Sequence, residues 1–115
     1  MEFTQLEREI LQWIADKSDC PELVHQIKNA KPSAREFTGV GSYTDFEGIS
    51  DAAKAEVPDK YINGPTITSP DLMKPGAMSI LFFKEGRPAF LEIATYDGTF
   101  PETLTTWILT ESLFS

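Results

Sequence analysis

Cysteine and histidine are almost absent from this chain, which has one of each, Cys20 and His25. A lone cysteine can neither close an internal disulfide nor build a Cys-rich metal site, so the sequence fits a reducing compartment. A lone histidine with no serine or cysteine partner suggested nearby leaves no legible nucleophile and base, and a carboxylate pair held in a cleft is not legible either. We therefore expect no catalytic residues, no metal site and no cofactor. Long apolar runs are missing too, since none approaches the roughly 18 residues of a membrane-spanning helix. The N-terminal MEFTQLEREILQW is interrupted by acids where a secretory leader would be basic and then apolar. A cytoplasmic location is the expectation.

Positive charge is the remaining scarcity. The last 28 of the 115 residues contain no Lys or Arg, and the whole chain carries a net charge of −8. The acidity is uneven: residues 45–59 hold five acids and one base, whereas residues 60–87 hold two acids and four bases. Nucleic acid and anionic membranes select basic surfaces, so neither is an expected partner. A basic protein is one, although acidity of this kind also serves solubility.

What is present is enough apolar surface for a single domain over residues 1–115. Thr4 and Glu7 have the spacing of a capping box, and Leu6, Ile10, Trp13 and Ile14 recur at helical intervals, which predicts a helix from there to about Lys17. Asp19-Cys20-Pro21 predicts a second start, with Leu23, Val24, Ile27 and Ala30 as its buried stripe and Pro32 as its stop. Residues 77–96 hold two apolar runs around Glu85-Gly86, the signature of a β-hairpin with a primed turn. With Lys84 opposite Arg87, the register places Phe82, Ile80 and Met78 opposite Ala89, Leu91 and Ile93 as a wholly apolar face. The alternating pattern of residues 35–46 predicts one strand, residues 66–69 a short strand and residues 103–111 a last one, with 47–64 as a long acidic loop. Together these predict an α+β fold, with two N-terminal helices on a mainly antiparallel five-stranded sheet and the hairpin at its centre.

Two constellations stand out. Asp45, Glu47, Asp51, Glu56 and Asp59 gather acid in and beside the long loop, without the alternating spacing of an EF-hand. Asp97 and Glu102 form a second acidic group. In the other constellation, Gly39 and Gly41 fall on one face of the predicted strand and would leave a groove there, with Tyr43 and Glu92 at its margin. That glycine pair is not a dinucleotide fingerprint, because Thr44 occupies the place of the third glycine.

The run R-E-F-T-G-V-G at residues 35–41, followed by Tyr43-Thr44-Asp45-Phe46, Leu91-Glu92 and Thr95-Tyr96-Asp97-Gly98, resembles a pattern in small uncharacterised bacterial proteins of about this length. Such a family implies no catalytic residues. In size, acidity and single-domain build, the chain is also similar in kind to immunity proteins that neutralise toxins. That likeness implies a partner, a cationic toxin domain such as a nuclease, covered by the acids at 45, 47, 51, 56, 59, 97 and 102. The alternative is a small-molecule or enzymatic domain using the groove at Gly39 and Gly41. Neither reading specifies an oligomeric state.

Overall fold

The computed structural model describes residues 1–47 and 60–112, and the statements below concern those residues. Two helices open the chain, α1 (Gln5–Lys17) and α2 (Pro21–Asn29), and neither is long and apolar enough to cross a membrane. Helix α1 begins where the capping box places it: Thr4 Oγ1 accepts from the Glu7 N–H, and the Glu7 carboxylate accepts from the Thr4 N–H. Leu6, Ile10, Leu11 and Ile14 are buried along one stripe. Trp13 is half-buried at its margin, under the Lys17 ammonium.

Helix α2 departs from expectation in its stripe and its end. Leu23 is buried, but Val24 is exposed and the polar Gln26 is fully buried. Gln26 Nε2 donates to the Gly86 carbonyl at 3.0 Å, so α2 lies against the tip of the central hairpin and spends a core position on a hydrogen bond. The helix ends at Asn29, and Lys31 and Pro32 already belong to the first strand.

The strands are β1 (Lys31–Phe37), β2 (Gly41–Glu47), β3 (Tyr61–Asn63), β4 (Thr66–Thr68), β5 (Ala77–Lys84), β6 (Arg87–Thr95) and β7 (Ile108–Thr110). They form one antiparallel sheet in the order β1-β2-β6-β5-β4-β7, with β3 also paired to β5. Seven strands replace the expected five, for local reasons. The run 35–46 is two strands joined by a turn at 38–40, in which Gly39 takes a positive φ of 87°. Tyr61–Asn63, assigned to the loop from sequence, pairs with Phe82, Leu81 and Ile80. The last strand is only three residues long. Residues 101–107 ahead of it lie against α1, where the Trp107 indole donates to Glu9 at 3.0 Å.

The hairpin β5–β6 is central, as expected, with Lys84 opposite Arg87 and positive φ at Glu85 and Gly86, the primed turn that matches strand twist. Its register is not the expected one. Phe83 pairs with Pro88 and Phe82 with Phe90, leaving Ala89 as an extra residue in a bulge. From there Leu81 faces Leu91 and Ser79 faces Ile93. The core face is therefore Ala77, Ser79, Leu81, Phe83, Leu91 and Ile93, all buried. Met78, Ile80 and Phe82 turn to the opposite face. One inserted residue exchanges the faces because side chains alternate with period two.

Helix α1 is joined to this sheet by a charge as well as by apolar contact. Glu7 is 2 % exposed, and its carboxylate receives Arg35 Nε at 2.9 Å, Arg35 Nη2, the Thr44 hydroxyl and the Thr4 N–H at 2.8 Å. Burial pushes the Glu7 carboxyl up, but the hydrogen bonds from Arg35, Thr44 and Thr4 and the Arg35 charge outweigh it. Its value is held below the ordinary one.

A carboxylate favoured by the fold stabilises it fully above the ordinary value of 4.5 and loses that contribution as pH falls through the lower native value. Glu7→Gln should cost about 3 kcal/mol at neutral pH, because Arg35 is left without its counter-charge in a largely buried place. It should also flatten the acid limb of the stability profile. Urea unfolding across the acid range checks both, and an unchanged acid slope in the variant would exclude Glu7 as the titrating group.

Candidate functional site

The face of the sheet opposite the helices carries the side chains that the bulge exchanges. In register across it run Glu36 on β1, Tyr43 on β2, Glu92 on β6, Ile80 on β5 and Asn63 on β3. The adjacent row is Ala34, Asp45, Phe90, Phe82 and Tyr61. Four aromatic rings thus form a diagonal band over four strands. Tyr43 lies 6.0 Å from Phe90, Phe90 is stacked on Phe82 at 4.5 Å, and Phe82 lies 6.1 Å from Tyr61. Tyr43 and Tyr61, at the two ends, are exposed, and both phenylalanines are half-buried. Aromatic cross-strand pairs stabilise a sheet, but rings left at a surface also offer the large, rigid contact area that protein interfaces use.

Carboxylates are interleaved with this band. Tyr43 stands in register between Glu36 and Glu92. Interaction with the Glu92 carboxylate first, then desolvation and the Glu36 charge, hold the Tyr43 phenol above its ordinary value, so it stays protonated. Between β1 and β2 the surface dips into a hollow of about 360 Å³ lined by Ala34, Arg35, Glu36, Tyr43, Asp45 and Phe90. The hollow has aromatic surface in Tyr43 and Phe90 and negative charge in Glu36 and Asp45. An arginine or lysine side chain fits both features, through cation–π contact and ion pairing. Arg35 lines the hollow but its guanidinium is paired with Glu7, Lys60 precedes Tyr61, Lys84 and Arg87 pair at the hairpin turn, and Lys31 lies opposite Glu47.

The acids singled out from sequence are distributed differently from one another. Asp45 and Glu47 are exposed on β2. Asp51, Glu56 and Asp59 lie outside the described residues. Asp97 is exposed beyond the far end of β6, away from the hairpin turn that Asp45 approaches through Phe90. Glu102 is exposed on the helix side, where it lines a cavity beside α1. Asp45 and Glu102 therefore belong to opposite faces. Among the described residues, no three His, Cys, Asp or Glu side chains converge as metal ligands would.

The glycine groove takes a different form. Gly39 is in the β1–β2 turn, with its carbonyl accepting from the Phe100 N–H at 3.0 Å. Gly41 begins β2 packed against β6, where a Cβ would come within 1.7 Å of the Ile93 carbonyl oxygen. The space its missing side chain leaves is already filled by neighbouring backbone. Tyr43 and Glu92 do adjoin each other, on the open face. Phe90 falls on the face of Glu92 by simple alternation, but Phe82, Tyr61 and Glu36 were not legible as surface partners of Tyr43 and Glu92. The signal available for them was Pro88, a residue without an N–H next to a turn and hence a marker of a bulge. No protein-family model, no curated protein and no solved structure matches this chain.

The two glycines should answer to substitution for different reasons. Gly41→Ala forces backbone apart and should cost about 3 kcal/mol, the upper end for overpacked sites. Gly39→Ala meets no atom within 4 Å and bears only the strain of a positive φ, roughly 1 kcal/mol. Denaturant midpoints of the two variants decide this, and equal losses would contradict the close approach of β2 and β6.

Proposed function

We propose that this domain is a binding protein that takes a basic protein partner on the open face of its sheet, and that it serves as an immunity protein blocking a cationic toxin domain such as a nuclease. One observation supports the reading above the others: a band of four aromatic rings lies on a sheet face with Glu36, Asp45 and Glu92 set among them. Exposed aromatic surface supplies the short-range part of affinity, and fixed carboxylates beside it select a basic partner. The net charge of −8 adds long-range steering. Inhibition would be steric, with the docked domain occluding the basic surface a nuclease needs for its substrate. The mechanism requires no reaction at this chain's residues. Asp45 and Glu47 remain in the proposed interface, whereas Asp97 and Glu102 fall away from it.

Affinity co-purification of the tagged chain from its native host, at low and then moderate salt, should retain one basic protein in stoichiometric amount and release it as salt rises. With that partner in hand, Tyr43→Ala and Tyr61→Ala should each weaken binding roughly 30-fold, mostly through faster dissociation. The double variant Glu36→Gln with Asp45→Asn should instead slow association and flatten its dependence on salt. Retention of no basic protein, or unchanged kinetics in all three variants, would overturn the assignment.

A further inference from the structure

On the helix-covered face, away from the surface just described, a cavity of about 210 Å³ opens beside the first turn of α1. Its apolar wall includes Phe37, Ile93, Phe100, Leu104 and Trp107. For scale, a dry apolar cavity of roughly 150 Å³ holds benzene. This cavity has room for one ring, or a short branched chain, with a small polar group attached.

The polar lining is rich in unused donors. Ser42 is 6 % exposed and lines the cavity, and its hydroxyl makes no hydrogen bond to any described residue. Arg35 lines it as well. Its Nε and Nη2 are engaged by Glu7 and the Glu2 carbonyl, while Nη1 has no partner among the described residues. Gln5 and Leu6 add the start of α1, where backbone N–H groups lack intrahelical acceptors and the helix dipole is positive. Glu7 does not compete as an acceptor of these donors, since both its oxygens are already committed. The Ser42 hydroxyl and Arg35 Nη1 are donors without a protein acceptor among the described residues, so the lining is matched by an acceptor supplied from outside. Glu102 stands exposed among the lining residues, where solvent screens its charge.

We propose that this cavity binds a small monocarboxylate with a single ring or a short branched apolar body. The carboxylate accepts from Ser42 and from Arg35 Nη1 at the start of α1, and the apolar end lies against Phe100 and Trp107. This ligand is independent of the protein partner proposed above, because the two surfaces are on opposite faces of the sheet.

Titration calorimetry on the intact chain with phenylacetate and 3-methylbutanoate tests it, with phenylacetamide and toluene as uncharged controls. At least one carboxylate should bind saturably, one per chain, about tenfold or more tightly than either control. Ser42→Ala should weaken that binding roughly tenfold. Without ligand, the same variant should melt at an unchanged temperature, since the hydroxyl makes no hydrogen bond to any described residue. Glu102→Gln should strengthen binding modestly. Failure of both carboxylates at millimolar concentration, equal binding of the controls, or full affinity in Ser42→Ala would each overturn the proposal. A lower melting temperature of unliganded Ser42→Ala would also overturn it, by giving the hydroxyl a structural role.

Discussion

Glu7 is a charge placed inside the seam between helix and sheet, and most of the helix-side structure follows from satisfying it. Taking a carboxylate out of water is expensive, and an isolated partner would not offset that cost. Here four donors from three residues converge on two oxygens: the Thr4 N–H just before α1, two nitrogens of Arg35 on β1 and the Thr44 hydroxyl on β2. The three residues lie on different parts of the chain, so the ion pair specifies how the helix is rotated and where along β1 and β2 it sits. Apolar contacts alone would leave more freedom, because Leu6, Ile10 and Ile14 can slide over other apolar surface. The same convergence leaves Nη1 of Arg35, a residue that lines the cavity beside α1, without a partner among the described residues. A structural interaction and a candidate ligand site thus share a side chain.

The opposite face depends on a different small feature. The bulge at Ala89 turns Leu91 and Ile93 into the core beside Leu81 and Ser79, and leaves Phe82 and Phe90 stacked on the outside. An antiparallel sheet with one covered and one open face ordinarily carries polar side chains on the open one. This sheet carries rings there, spaced so that each touches the next, with Glu36, Asp45 and Glu92 between and beside them. A monomer gains little from exposing Tyr43 and Tyr61, which is the physical ground for reading the face as a contact surface.

The two faces make separate demands on the chain. On the helix side, Ser42 and Arg35 offer donors beside apolar walls, which suits the small acid proposed there. On the open side, acceptors and π-faces dominate, which suits cationic side chains. Residues grouped together by acidity in the sequence are divided between these surfaces, Asp45 with the rings and Glu102 beside the cavity.

Much of the architecture was legible from local chemistry. The capping box, the helical spacing of Leu6, Ile10 and Ile14, and the turn at Glu85-Gly86 depend on residues within a few positions of one another, so the first helix and the central hairpin could be read directly. Gln26 could not be read as a core residue, because its burial is compensated by the carbonyl of Gly86, 60 residues away. Nor could the pairing of Glu7 with Arg35 across 28 residues, or the filling of the Gly41 space by Ile93. The faces of the hairpin escaped for a simpler reason: an alternating pattern records which residues share a side only while the count is unbroken, and one bulged residue reverses it. Composition and spacing determined an acidic α+β chain with its helices first and a hairpin in its sheet. Which rings face outward, which acids stand beside them and which donors remain unused were decided by tertiary packing, because each depends on a partner that is distant in sequence.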